Sequence, residues 1–239
     1  MAAIVERYTD RQVITGKIKV PGDGIEMDAI LARPAEHGPH PAVVVVHENS
    51  GIDPTLPQAG PHYEDVTRRF ARLGYYAVAP NFRQRGGTTR DMPEGQATGD
   101  MIALFGWLQE QPRVQADRIG CVGFCWGGGA AVDAAVALPE LAASVIYYGR
   151  NPQPINDVAR IRCPVIGFYG GNDLRISQHV PALVDAMRQH SKRFEPKIYE
   201  GAEHAFFNDT RPDSHHAEAA RDSWERMIAF FEETLRAQT

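Results

Sequence analysis

The segment Gly123-Phe124-Cys125-Trp126-Gly127 constrains this chain more than any other. It fits the pattern Gly-x-nucleophile-x-Gly, with cysteine where serine is the usual nucleophile. An apolar run at residues 118–123 leads in, and an alanine-rich helical pattern at 126–138 leads out. A strand–turn–helix of this kind holds its central residue in a strained backbone conformation. The flanking glycines are required because a Cβ there would collide with the neighbouring strand and helix. The turn lifts the sulfur above the sheet edge at a helix N-terminus, where unpaired N–H groups favour a thiolate. The competing reading makes the glycines ordinary turn residues and Cys125 a small buried hydrophobe. A phosphate-binding loop is excluded because no Lys-Ser or Lys-Thr follows the glycines, and the spacing is wrong for a dinucleotide fingerprint.

The rest of the chain alternates between short β-rich runs and helical patterns. Strands are expected at 13–20, 28–33, 42–47, 75–79, 118–123, 144–148, 164–169 and 197–199, and helices at 62–73, 97–111, 126–138, 178–190 and 213–236. The runs at 42–46 and 144–148 are apolar on both faces, the signature of strands covered from both sides in a parallel sheet. The first two strands carry more polar positions and suit an antiparallel edge. This alternation predicts an α/β fold, a three-layer α/β/α sandwich with a mostly parallel central sheet. No repeat or compositional break divides residues 1–239, so one domain is expected, although the length exceeds the commonest domain size.

A nucleophile on such a turn needs a base, and the base needs an acid, in the chain order nucleophile, acid, histidine. Asp173 follows the strand at 164–169, 48 residues after Cys125, and His204 follows the next strand, 31 residues later. Each interval leaves room for one crossover. His204 would take the thiol proton and return it to the leaving group, and Asp173 would fix the imidazole tautomer. Against this, Asp173 could be a plain turn residue, and His204 is one of nine histidines. The backbone N–H of Trp126, the residue after the nucleophile, is a candidate oxyanion donor.

Composition narrows the partners. A net charge of −5 argues against a nucleic-acid footprint. The N-terminus has neither a basic lead nor an apolar core, so no secretory signal is read. No run approaches the roughly 20 apolar residues of a membrane span. Three cysteines, Cys121, Cys125 and Cys163, suit a reducing cytoplasm better than a disulfide framework. Cys121 and Cys163 are read as packing residues.

With these features the chain resembles the dienelactone hydrolase (carboxymethylenebutenolidase) family of the α/β-hydrolase superfamily. The resemblance runs from about Gly24 to the C-terminal helix. It rests on His47-Glu48-Asn49-Ser50-Gly51, Ala79-Pro80 with Arg83-Gln84, the cysteine turn, Gly170-Gly171-Asn172-Asp173 and Gly201-Ala202-Glu203-His204-Ala205-Phe206. It implies a cofactor-free, metal-free hydrolase of a lactone or small ester. In it Glu48 contacts the resting thiol and Asn49 supplies the second oxyanion N–H. A carboxylate beside a thiol could indeed hold or accept its proton. The His47-Glu48 pair also invites a zinc reading, but position 51 is Gly51, not a second histidine, so His47 is read as structural.

The resemblance also implies arginines for a substrate carboxylate. The first maps to Arg83 or Arg85. The second falls on Asn208, a neutral amide that cannot replace a guanidinium, with Arg211 close by. Phe206, with Trp126, Phe207 and Tyr148, is a candidate for lining an apolar pocket. Two other readings stand beside the ester hydrolase: a thioesterase or acyltransferase, and a redox-sensing protein using Cys125 as a regulatory thiol.

Overall fold

A computed structural model of the protein describes residues 11–236 apart from 87 and 90. The N-terminal stretch read as lacking a secretory signal lies almost wholly outside them.

One eight-stranded sheet runs through the described residues. Its strands are β1 (Val13–Gly22), β2 (Ile25–Pro34), β3 (His40–Val46), β4 (Tyr76–Pro80), β5 (Val114–Phe124), β6 (Ala143–Tyr147), β7 (Val165–Gly170) and β8 (Phe194–Tyr199). Their spatial order is β1-β2-β4-β3-β5-β6-β7-β8. The β1–β2 and β2–β4 pairs are antiparallel and the remaining pairs are parallel. The polar early strands are thus the antiparallel edge that the sequence implies.

The apolar runs are buried twice over. On β3, Val43 and Val45 join one core while Val44 and Val46 join the other. Helices α1 (Gly60–Arg72) and α6 (Ala217–Phe231) cover the first face. Helices α2 (Gln96–Gln109), α3 (Trp126–Ala137) and α5 (Val180–Gln189) cover the second. The three layers bury strands that could not face water, at roughly 25 cal/mol per Å² of apolar surface removed.

Several boundaries differ from expectation. β1 and β2 run on to a tight turn at Asp23-Gly24, where Gly24 takes φ +70°. β8 begins at Phe194 rather than 197, and Pro196 fits there because an edge strand leaves one row of N–H positions unpaired. Helix α6 begins at Ala217 rather than 213, because His216 caps it by accepting the Ala219 N–H at 3.3 Å. A 3₁₀ turn at Ile155–Arg160 and a short helix α4 (Leu174–Ser177) were not anticipated.

The loops leaving β3, β5, β7 and β8 all emerge at the carboxyl edge of the parallel strands, where open α/β sheets bind ligands. A second tie organises the same edge. Asp100 on α2 is fully buried and accepts Arg85 Nη1 at 2.7 Å and the Asp23 N–H at 2.8 Å. Arg85 also donates to the Asp23 carbonyl. Its guanidinium is therefore committed to holding the β1–β2 turn against α2, which corrects the expectation that it is available to a substrate. Removing one partner of a buried pair is strongly destabilising, so Asp100→Ala should cost about 3 kcal/mol, read as a lower urea midpoint. A loss below about 0.5 kcal/mol would show that the tie contributes little.

Candidate active site

Cys125 sits between β5 and α3 at φ 58° and ψ −114°. Only neighbours without side chains permit this. A Cβ on Gly123 would lie 1.8 Å from the Gly127 carbonyl oxygen, and one on Gly127 would lie 2.4 Å from that of Val46. The backbone is locked from both sides: Cys125 N–H donates to the Tyr147 carbonyl at 3.0 Å, and the Cys125 carbonyl accepts the Gly128 N–H at 3.0 Å.

His204, in the loop after β8, reaches back to the turn. Its Nε2 lies 3.0 Å from Cys125 Sγ, and its Nδ1 lies 2.5 Å from Asp173 Oδ2. Because Nδ1–H donates to the carboxylate, Nε2 is the nitrogen that faces sulfur. Burial works to lower the imidazole pKa and is the largest single influence. The hydrogen bonds to Asp173 and Cys125 outweigh it and raise the value to about 9. Glu203, the neighbouring acid, does not compete, because it accepts Asn172 Nδ2 at 2.9 Å.

Glu48 follows β3 and is 2% exposed. Tyr148 Oη donates to its Oε1 at 3.3 Å, and Arg211 Nη2 lies 2.9 Å from its Oε2. That second contact pairs charges without an aligned hydrogen bond, since Oε2 and Arg211 Nε form none among the described residues. Burial pushes the Glu48 carboxyl above its usual range, while Arg211, His204, Tyr148 and Asn208 work against the rise. Two further residues fix its position. The Glu48 N–H donates to Tyr63 Oη at 2.8 Å, and His47 Nδ1 donates to the Glu48 carbonyl at 2.6 Å. His47 Nε2 in turn accepts the Phe82 N–H at 3.0 Å. Both ring nitrogens are thereby spent, burial lowers the His47 pKa to about 4, and the neutral ring stacks on Trp126. This is the structural histidine that the sequence suggests.

The amides of Trp126 and Asn49 form no hydrogen bond among the described residues. The Asn49 side chain is held by the Thr89 hydroxyl. Tyr148, in the positive region at φ 38°, sets its ring edge-on to His204 with centroids 5.1 Å apart. The sequence placed Tyr148 only in a possible pocket wall. It gave no signal for Tyr63, which lies 62 residues before the nucleophile and reaches Glu48 only through the fold.

Other expected contacts are not brought to the sulfur. Phe206 is fully buried among Tyr147, Tyr148 and Tyr199, so it supports the site from behind and offers no surface to a substrate. Arg83 donates to the Ser50 carbonyl at 3.0 Å and lines a cleft of about 680 Å³ with Lys17, Asp28 and Glu64. None of Cys125, Asp173 and His204 lines that cleft. Asn208 is also fully buried. Its Oδ1 accepts from Thr210 Oγ1 at 2.6 Å and from Thr210 N at 3.1 Å. No helix among the described residues is long and apolar enough to cross a membrane.

The fold has close counterparts. The model of the dienelactone hydrolase family matches residues 27–235. The chain belongs to the dienelactone hydrolase family. It is therefore a hydrolase acting on ester bonds, with the α/β-hydrolase fold. A relative in Yersinia pestis, provisionally assigned as a carboxymethylenebutenolidase, is 34% identical over 241 residues, covering 90% of this chain and 87% of the relative. One of the same assignment in Escherichia coli K12 is 31% identical, covering 98% and 92%. Among solved structures, a provisionally assigned dienelactone hydrolase from Klebsiella pneumoniae superposes with a TM-score of 0.85 at 32% identity, covering 93% of this chain and 99% of that one. A dienelactone hydrolase-like promiscuous phosphotriesterase from metagenomic libraries superposes at 0.82 with 22% identity, covering 93% and 98%, which speaks to the fold alone.

Glu48 has a measurable stability signature. A carboxyl whose folded pKa lies above the ordinary 4.5 is penalised in its charged form. The penalty is absent well below pH 4.5 and grows as pH rises through that value. The stability of Glu48→Gln relative to the native protein should therefore increase from pH 4 to pH 7. Thermal melts of both proteins at the two pH values check this, and a difference in Tm that does not change with pH would contradict it.

Proposed function

We propose that this chain is a cofactor-free hydrolase of a lactone or small activated carboxylic ester, working through an acyl-cysteine on Cys125. The observation that carries the reading is His204 set between Cys125 Sγ at 3.0 Å and Asp173 Oδ2 at 2.5 Å. His204 Nε2 takes the thiol proton as Sγ attacks the ester carbonyl carbon. The carbonyl oxygen becomes an oxyanion within reach of the Trp126 and Asn49 amides. When the tetrahedral adduct collapses, the C–O bond breaks and the departing oxygen takes the proton from His204. Water, deprotonated by the same nitrogen, then attacks the thioester, releasing the acid and restoring the thiol. Asp173 keeps Nδ1–H pointed away from sulfur and balances the imidazolium charge.

In this reading Glu48 is the fourth member of the site, a carboxylate that governs the resting thiol's proton. Arg211 places a positive charge beside Asn208, and its guanidinium is paired with the Glu48 carboxylate. Of Arg83 and Arg85, only Arg83 remains a candidate substrate ligand. The chain acts as one α/β-hydrolase domain over 1–239, on a small molecule rather than nucleic acid or membrane. Its three free thiols suit a reducing cytoplasm.

The redox reading finds less support. Burial raises the Cys121 thiol to about 11 and the Cys163 thiol to about 12, values that leave neither reactive near neutral pH.

The deciding experiment is hydrolysis of p-nitrophenyl acetate and of cis- and trans-dienelactone by the native protein and by Cys125→Ala. Loss of at least about a thousandfold in kcat with the fold intact by circular dichroism is expected. Turnover that survives in Cys125→Ala would remove the acyl-cysteine mechanism.

A further inference from the structure

We propose that Thr89 is a positioning residue for the oxyanion site: its hydroxyl binds the Asn49 side chain and so keeps the Asn49 N–H aimed at the acyl oxygen; the inference rests on the hydrolase reading above. The two candidate oxyanion donors are held differently. The Trp126 N–H belongs to the first turn of α3, and the helix fixes its direction. Asn49 lies in the loop between β3 and α1, where neither a helix nor a strand orients its amide.

What orients it is the peptide plane that it shares with the Glu48 carbonyl. In a trans peptide the C=O and N–H point in opposite directions. The Glu48 carbonyl accepts His47 Nδ1–H at 2.6 Å and the Gly51 N–H at 3.0 Å, so the Asn49 N–H is directed away from both. An asparagine endangers this arrangement. Its side-chain oxygen readily accepts the N–H two residues on, closing an Asx turn. Here that N–H belongs to Gly51, and its capture would free one side of the Glu48 carbonyl and let the plane rotate. The Thr89 hydroxyl removes the competitor by donating to Asn49 Oδ1.

Thr89 is placed for this contact by its own loop. It is 4% exposed, whereas Gly86, Thr88 and Asp91 around it are exposed. A buried hydroxyl needs a partner, and its partner is Asn49. A turn sets its direction. Thr88 N–H and Oγ1–H both donate to Asp91 Oδ2, at 3.0 and 2.9 Å, and the Asp91 N–H donates back to the Thr88 carbonyl at 3.1 Å. On the other side of the Asn49 loop, Arg83 Nη1 holds the Ser50 carbonyl at 3.0 Å, so the segment is pinned from two directions.

The test removes the hydroxyl and keeps the branched shape. Thr89→Val should lower kcat for p-nitrophenyl acetate about tenfold with KM changed less than about twofold, a fraction of the roughly 10²–10³ that loss of an oxyanion donor costs. Thr89→Ala should behave alike, and Thr89→Ser, which keeps the hydroxyl, should retain most of the native rate. Two probes of Cys125 separate aim from general damage. Butanal adds to the thiol as a hemithioacetal whose oxygen occupies the oxyanion position, so its inhibition constant should rise as kcat falls. Iodoacetamide alkylates the same sulfur, expels iodide and forms no oxyanion, so its rate should change less than about twofold. A kcat that Thr89→Val leaves within about twofold, an alkylation rate that falls along with kcat, or a Thr89→Ser protein as slow as Thr89→Val overturns the positioning role while leaving the hydrolase intact. Failure of the native protein to turn over the ester overturns the hydrolase reading, and the positioning role with it.

Discussion

The site depends on a backbone that would be untenable elsewhere. Cys125 occupies a positive φ only because β5, α3 and the end of β3 approach within distances that exclude any side chain at positions 123 and 127. Such strain costs on the order of 1–3 kcal/mol and persists where the surroundings over-determine it. Here they do so through the double-sided burial of the parallel strands. Val43 to Val46 anchor β3 in two cores at once, so the carbonyls against which Gly127 packs cannot shift. The sulfur is therefore presented by the whole sheet, and the reach of His204 from β8 completes the arrangement.

Much of this was legible because it is written locally. The glycine spacing around Cys125, the apolar runs at 42–46 and 144–148, and the order of Asp173 and His204 are patterns that a strand or a turn imposes on its own residues. What escaped belongs to contacts between distant segments. Tyr63 meets Glu48 from α1, and Tyr148 touches both Glu48 and His204 through a backbone angle that no composition announces. Phe206 adjoins His204 in sequence yet faces the core, because the loop after β8 turns at Ala205, which takes φ +64°. Arg83 and Arg85 could not be separated by reading, since what separates them is Asp100, on helix α2. The Asp23-Gly24 turn, by contrast, is a local signal, an Asp-Gly pair between two strands.

Electrostatically the site is a compromise among ionisable groups of which Glu48 and Asp173 are buried. The hydrogen bonds to Asp173 and the sulfur favour a charge on His204 against the burial that opposes it, while burial resists a charge on Glu48 and Arg211 offsets part of that resistance. His47, which looks like a fourth participant, has both nitrogens committed to backbone and contributes position alone.

The tie among Asp100, Arg85 and Asp23 extends this logic to the outermost part of the sheet. The β1–β2 hairpin looks dispensable, an exposed edge far along the chain from Cys125. Its tip is nonetheless moored to α2 and to Arg85, and a few residues on, Thr89 grips the side chain of Asn49. The hairpin is therefore the far end of a brace whose near end is a candidate oxyanion amide. A shortened chain that begins at β3 would keep the triad residues and their covalent order, yet it would take Asp23 away from Asp100 and Arg85 and so loosen the segment that holds Asn49.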